Sequence, residues 1–243
     1  MPKVLEFQFN PQRQGNSKLP VWLRRKNRQY FFETFRFYPA QKFEKPLGAL
    51  CLLCETASEN FNDRQMLLSL GRVAQKEYYR FVYPDPSDCF KWALEQANRF
   101  LSRQLKQNNT SWLGKINFTA LAVRDDLSIS LAKIGEPPIL LLTNNEVFDL
   151  NRSFAQESSP FKYFSNVIEG MVKPSDKILL LTQGVFDVFD EEEMLRWLLL
   201  AKRPGEIKTI FQQKKNVLRQ AVGACLIVCV KKKPRWPLPF KKI

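Results

Sequence analysis

Residues 47–54, 118–123, 177–182 and 224–230 are largely apolar, yet none of these runs exceeds eight residues. Apolar runs of that length, bounded by turn residues, read as strands buried in a sheet rather than as helices, which need ten or more residues. Residues 4–9 and part of 31–37 instead alternate apolar and polar side chains, the period of half-buried strands. Residues 127–134, 139–143 and 146–150 add short strands after 118–123. The connections between them are Arg124-Asp125-Asp126, Gly135-Glu136-Pro137-Pro138 and Asn144-Asn145. That spacing predicts a meander of hairpins.

Helical patterning falls in three places. Asn62 or Asp63 can cap a helix with Met66, Leu67, Leu70 and Val73 on one face. After the turn cluster at residues 84–88, Phe90, Ala93, Leu94, Ala97, Phe100, Leu101 and Leu105 recur at helical spacing. Asp190-Glu191-Glu192-Glu193 predicts the acidic start of a helix through Leu200, where negative charge complements the helix dipole. The order of strands and helices predicts an α+β fold, a two-layer or β-sandwich core flanked by helices. One domain over residues 1–230 is expected, followed by a basic tail at 231–243 rich in proline and aromatic residues.

Composition narrows the chemistry. Histidine is absent, which removes Ser-His-Asp and Cys-His catalysis and every imidazole-dependent zinc site. Five cysteines with no secretory leader point to a reducing compartment, so a cytoplasmic location is expected, with the inner face of a membrane as a variant. Cys51 and Cys54 form a Cys-x-x-Cys, and Cys225 and Cys229 lie four apart. In strands, residues three apart face opposite ways and residues four apart lie about 13 Å from each other, so a zinc site is disfavoured against buried reduced thiols.

The net charge of +14 is unevenly placed. Residues 1–45 carry ten Lys/Arg against three acids, and residues 231–243 carry six against none, leaving 22 against 21 in between. Basic ends on a nearly neutral body attract anionic partners: a membrane surface, nucleic acid or an acidic protein. In the tail, Lys231, Lys232, Lys233, Arg235, Lys241 and Lys242 mix with Trp236 and three prolines, a pattern suited to an anionic lipid interface or phosphate backbone. A flexible solubilising tail or a proline-rich peptide ligand has the same composition.

Three stretches carry a family resemblance. The helix from Trp92 to Arg99, the strand turn Leu131-Ala132-Lys133-Ile134-Gly135-Glu136-Pro137-Pro138-Ile139-Leu140, and Lys177 through Asp187 occur in an order similar to that of the metal-dependent (PPM, type 2C and sporulation-type) protein phosphatases. The second resembles that family's Ala-Asn-x-Gly-Asp or Ala-Asn-Ala-Gly-His-Pro-Pro turn, the third its Asp-x-Leu-Leu-Leu-x-Ser/Thr-Asp-Gly strand. The likeness spans roughly residues 18–231 and implies two Mg²⁺ or Mn²⁺ ions held by carboxylates at the mouth of a β-sandwich. Such ions need hard oxygen ligands, and it is the metal that lowers the pKa of the attacking water.

The acids that the resemblance calls for are mostly missing. The family's Arg-x-x-Asn-Glu-Asp falls on Arg24 to Gln29, placing Arg28 and Gln29 where acids are expected. Its first Asp-Gly falls on Glu55-Thr56, its second on Gln183-Gly184, and its last Asp-Asn or Asp-Asp on Ala224-Cys225. Glu136 keeps an acidic position, and Asp187 matches an Asp that is not usually a metal ligand. A divalent ion and an Arg about 4 Å apart would repel by about 8 kcal/mol at an effective dielectric of about 20. The resemblance therefore implies loss of the metals, with Arg28 pairing Glu55 in their place; the competing reading has Arg28 in solvent and Glu55 capping a helix.

Three functions follow. The leading one is a catalytically inactive phosphatase-like protein that binds a protein partner or a phosphorylated ligand, without a cofactor. A second is a residual Mg²⁺- or Mn²⁺-dependent serine/threonine phosphatase using Glu55, Glu136 and Glu59. The third is an anion-, nucleic-acid- or membrane-surface-binding module for which the degenerate site is irrelevant.

Overall fold

The computed structural model describes residues 2–9, 31–58, 60–143, 145–154 and 163–230. Arg28, Gln29, Glu59 and the tail 231–243 lie outside them. Among the described residues, ten strands form two five-stranded antiparallel sheets. One has the order β1–β10–β9–β6–β7, from β1 (Lys3–Phe9), β10 (Gly223–Cys229), β9 (Lys177–Leu181), β6 (Ile139–Thr143) and β7 (Glu146–Asp149). The other has the order β2–β3–β4–β5–β8, from β2 (Phe31–Phe37), β3 (Ala49–Thr56), β4 (Ile116–Val123), β5 (Ser128–Ile134) and β8 (Val167–Met171).

The continuous apolar runs are explained by burial on both faces. Along β3, Leu50, Leu52 and Cys54 pack under α1 (Phe61–Tyr78) and α2 (Pro86–Lys106), whereas Cys51 and Leu53 turn inward against the opposing sheet. Along β10 the same alternation sends Ala224, Leu226 and Val228 into the sandwich. Cys225, Ile227 and Cys229 face α3 (Gln183–Glu191), α4 (Met194–Leu200) and α5 (Pro204–Gln213). A short α6 (Lys215–Leu218) leads into β10. The layers are thus helix, sheet, sheet, helix. Cys51 and Cys54 accordingly sit in different clusters, and burial raises the Cys51 thiol to about 12.

Both long helices follow the patterning. Asn60, rather than the expected Asn62 or Asp63, caps α1, its side chain accepting from the Asn62 N–H at 2.9 Å, and Asp85 caps α2 through the Ser87 N–H at 2.8 Å. Val73 is only half-buried, while Ala74 and Tyr78 complete the inner face of α1. The Tyr78 and Tyr79 hydroxyls donate to the carbonyls of Leu47 and Gly48, tying the end of α1 to the start of β3.

Two expectations are corrected. Residues 118–150 are not one meander: β4 pairs with β5 and β6 with β7, but β5 pairs onward with β8 and β6 with β9. Gly135-Glu136-Pro137-Pro138 is therefore a crossing between sheets rather than a hairpin turn. Two successive prolines there supply no N–H for a ladder, which suits a crossing. The acidic run at 190–193 closes α3 instead of opening a helix. Asp190 and Glu191 end α3, and Glu193, with φ of 51°, sets the corner before α4.

Candidate functional site

The ends of β3, β4, β5 and β9 converge on Glu55. The β3–β4 register places Glu55 opposite Asn117, and Asn117 Nδ2 donates to Glu55 Oε1 at 2.8 Å. Asn117 Oδ1 in turn accepts from the Glu136 N–H at 3.0 Å. One carboxamide therefore bridges the end of β3 to the β5–β6 crossing. From the other sheet, the Gln183 N–H points at both Glu55 oxygens at 3.3 Å. That N–H is the first of α3, so the carboxylate lies at the positive end of a helix.

Gln183 sits here because β9 passes directly into α3. Thr182 is the hinge: its backbone N–H donates to the Ala224 carbonyl at 3.0 Å, and its hydroxyl accepts from the Ala224 N–H at 3.0 Å. These bonds put the start of β10 beside the start of α3. The Gln183 side chain turns outward and donates to Asp187 Oδ1 at 2.7 Å, one helical turn along.

Glu55, Glu136, Gln183 and Ala224 thus meet at one end of the sandwich, although not all of their side chains do. The Glu136 carboxylate is exposed and is held by Lys133 Nζ at 2.6 Å. Ala224 is fully buried and contributes a methyl group to the core between the sheets. Thr56, where the resemblance places glycine, is buried and its hydroxyl accepts from the Ser58 N–H at 3.0 Å. Arg28 and Gln29 lie outside the described residues; among those described, the partners of Glu55 are Asn117 and Gln183. Asn117 and Thr182 were not singled out in the sequence, and only strand register reveals the first.

Burial pushes the Glu55 carboxyl above the ordinary range. The Asn117 and Gln183 hydrogen bonds oppose that shift, and the nearby Asp187 charge adds to it. With a raised pKa the folded state holds the proton more tightly than the unfolded chain, so Glu55 costs stability as pH rises through the folded value. A Glu55→Gln variant lacks this dependence. Urea unfolding between about pH 4 and pH 7 should show wild type gaining on Glu55→Gln toward acid; parallel curves would mean that the two N–H donors offset burial in full.

Among the described residues, the donor set does not fit a two-metal cluster. Among the described residues no group of three acids, thiols or imidazoles converges. Glu55 is committed to N–H donors, Glu136 to a lysine, and the remaining positions offer an amide and a methyl group. Hard divalent ions require several oxygen ligands, usually including carboxylates.

No protein-family model and no curated protein matches the sequence. Solved structures do match the fold, which is that of the PPM-type serine/threonine phosphatases. Staphylococcus aureus serine/threonine phosphatase Stp1 is similar over 95% of this chain and 96% of its own, with a TM-score of 0.66 and 11% identity. The S. agalactiae serine/threonine phosphatase is similar over 95% and 99%, with a TM-score of 0.60 and 14% identity. The catalytic domain of the phosphatase PstP, solved with two manganese ions, is similar over 84% and 99%, with a TM-score of 0.53 and 11% identity. At these identities the likeness establishes architecture alone. Among the described residues no helix is long and apolar enough to cross a membrane.

Proposed function

We propose that this protein is a pseudophosphatase: a PPM-type fold that no longer hydrolyses phosphate esters and serves as a regulatory or binding module. The observation that carries the reading is the state of Glu55. The buried Glu55 carboxylate accepts from Asn117 and from the first N–H of α3, and so acts as a structural clasp between the two sheets. A phosphatase of this fold needs that oxygen for a metal ion. The other positions add no replacement, since Gln183 is neutral and Ala224 is buried apolar surface.

The test is turnover of an aryl phosphate by the full chain with added Mn²⁺ or Mg²⁺. The expected rate is indistinguishable from that of buffer plus metal. Metal-dependent turnover that disappears in Glu55→Ala would overturn the proposal in favour of residual catalysis.

The partner we propose is anionic, an acidic or phosphorylated protein engaged by the basic ends, because the charge excess lies there and the body is nearly neutral. Removing residues 231–243 should make the protein elute from a polyanion resin at clearly lower salt. Unchanged elution would eliminate that end from the reading.

A further inference from the structure

Lys177 opens β9 at the rim opposite Glu55. Six residues of extended chain separate it from Gln183, about 20 Å. It is only 7% exposed. Its ammonium carries three donors, and among the described residues its one hydrogen bond is to the Leu199 carbonyl at 3.2 Å, with no ion pair. A buried cation in that state is strongly unfavourable unless a counter-charge reaches it.

The charges of the neighbouring acids Asp176 and Glu206 reach Lys177 without offsetting its burial in full, and both carboxylates also hold backbone N–H groups. Asp176 Oδ2 accepts from the Lys173 N–H at 2.7 Å. Glu206 Oε2 accepts from the N–H groups of Lys202 at 2.7 Å and Arg203 at 3.3 Å, occupying the N-terminus of α5. Lys177 lines a cavity of about 290 Å³ whose wall includes Pro174, Asp176 and Cys229 and whose exposed lip carries Lys202 and Arg203. That volume lies at the small end of the range for ligand pockets. Three cations of two kinds, a guanidinium fork and two ammoniums, suit a compact oxyanion with several acceptor oxygens.

We propose that this cavity binds a small phosphate-type anion, either free phosphate or a small phosphomonoester, with Lys177 at its floor and Lys202 and Arg203 at its lip. The site is separate from the Glu55 mouth and does not depend on whether that mouth is catalytic. The bound anion adds to the counter-charge of Asp176 and Glu206, which only partly offsets the burial of Lys177.

The test is isothermal titration and thermal unfolding of the full chain with sodium phosphate against sodium chloride at matched ionic strength, repeated with phosphoserine. Wild type should show saturable binding of at least one probe and a raised unfolding temperature. Lys177→Met and Arg203→Gln should each weaken binding at least tenfold. Without phosphate, Lys177→Met should be at least as stable as wild type, because it keeps most of the buried stem and removes the charge. Tighter binding of phosphoserine than of phosphate would assign the site to phosphomonoesters, and the reverse to free phosphate. Absence of saturable binding in wild type overturns the proposal. So does an undiminished response in Lys177→Met, which retains the basic ends and would place the anion on them. If Lys177→Met fails to fold, Arg203→Gln, altered at an exposed side chain, carries the same test.

Discussion

Replacing Gly135 by alanine is expected to lower the unfolding free energy by about 3–5 kcal/mol, measured by urea denaturation at neutral pH. Two costs combine. Gly135 has φ of 71°, a conformation that costs an L side chain about 1–2 kcal/mol. A Cβ at this position would also overlap Asn117 Oδ1 and stand 2.6 Å from the Ile116 carbonyl oxygen. Asn117 must then move, and moving it breaks both the bond to Glu55 and the bond from the Glu136 N–H. Losing the bond to the largely buried Glu55 costs about 1–3 kcal/mol, and losing the bond from the exposed Glu136 N–H about 0.5–1.5 kcal/mol. The effect should not add to that of Asn117→Ala, since both changes remove the same bridge. A loss below about 1 kcal/mol, or full additivity with Asn117→Ala, would show that the crossing relaxes without disturbing Asn117.

How far the sequence could be read depended on whether the determining interaction was local. The buried strands were legible because apolar side chains on both faces leave a continuous run, as in β3 and β10. The helices α1 and α2 were legible because apolar residues recur at helical spacing along each, and the Asp85 cap of α2 acts on an N–H two residues away; the α1 cap was misplaced, since it is Asn60 and not Asn62 or Asp63. Strand pairing is not local. Nothing in Gly135-Glu136-Pro137-Pro138 states whether β6 returns to β5 or crosses to β9, and β8 escaped notice because Gly170 and two exposed neighbours blur its alternation.

The mouth shows the same division. Glu55 and Gln183 were located because short motifs carry them, and the structure links them across 128 residues. Asn117, which joins Glu55 to the crossing, stands 62 residues from its partner and is opposite it only through register. The backbone of Glu136 lies at the mouth, its N–H donating to Asn117. Its carboxylate goes elsewhere because Lys133, three residues earlier, competes for it at 2.6 Å. Hydrogen bonds of the mouth therefore belong to residues that hold strands together, a consequence the motif positions alone did not convey.

Ala224→Asp would restore an acid at the last motif position, and it should destabilise the protein by about 3–5 kcal/mol at neutral pH. Ala224 is fully buried and its methyl group joins the apolar cluster formed by Leu226, Val228, Leu53 and Leu121 between the sheets. Its backbone is fixed on both sides by Thr182, so the strand end cannot easily swing the new side chain toward water. A carboxylate held there loses hydration without gaining a partner, and its pKa rises. Because the folded state then keeps the proton more tightly than the unfolded chain, the deficit should shrink as pH falls through the raised value. Ala224→Asn separates charge from shape: it has nearly the same size and no ionisation, so it should cost less at neutral pH and show no such recovery toward acid. Equal, pH-independent losses in the two variants would assign the penalty to volume alone. A negligible loss in Ala224→Asp would mean that the start of β10 opens into the mouth, and that an acid at this position is still tolerated where the resemblance expects a ligand.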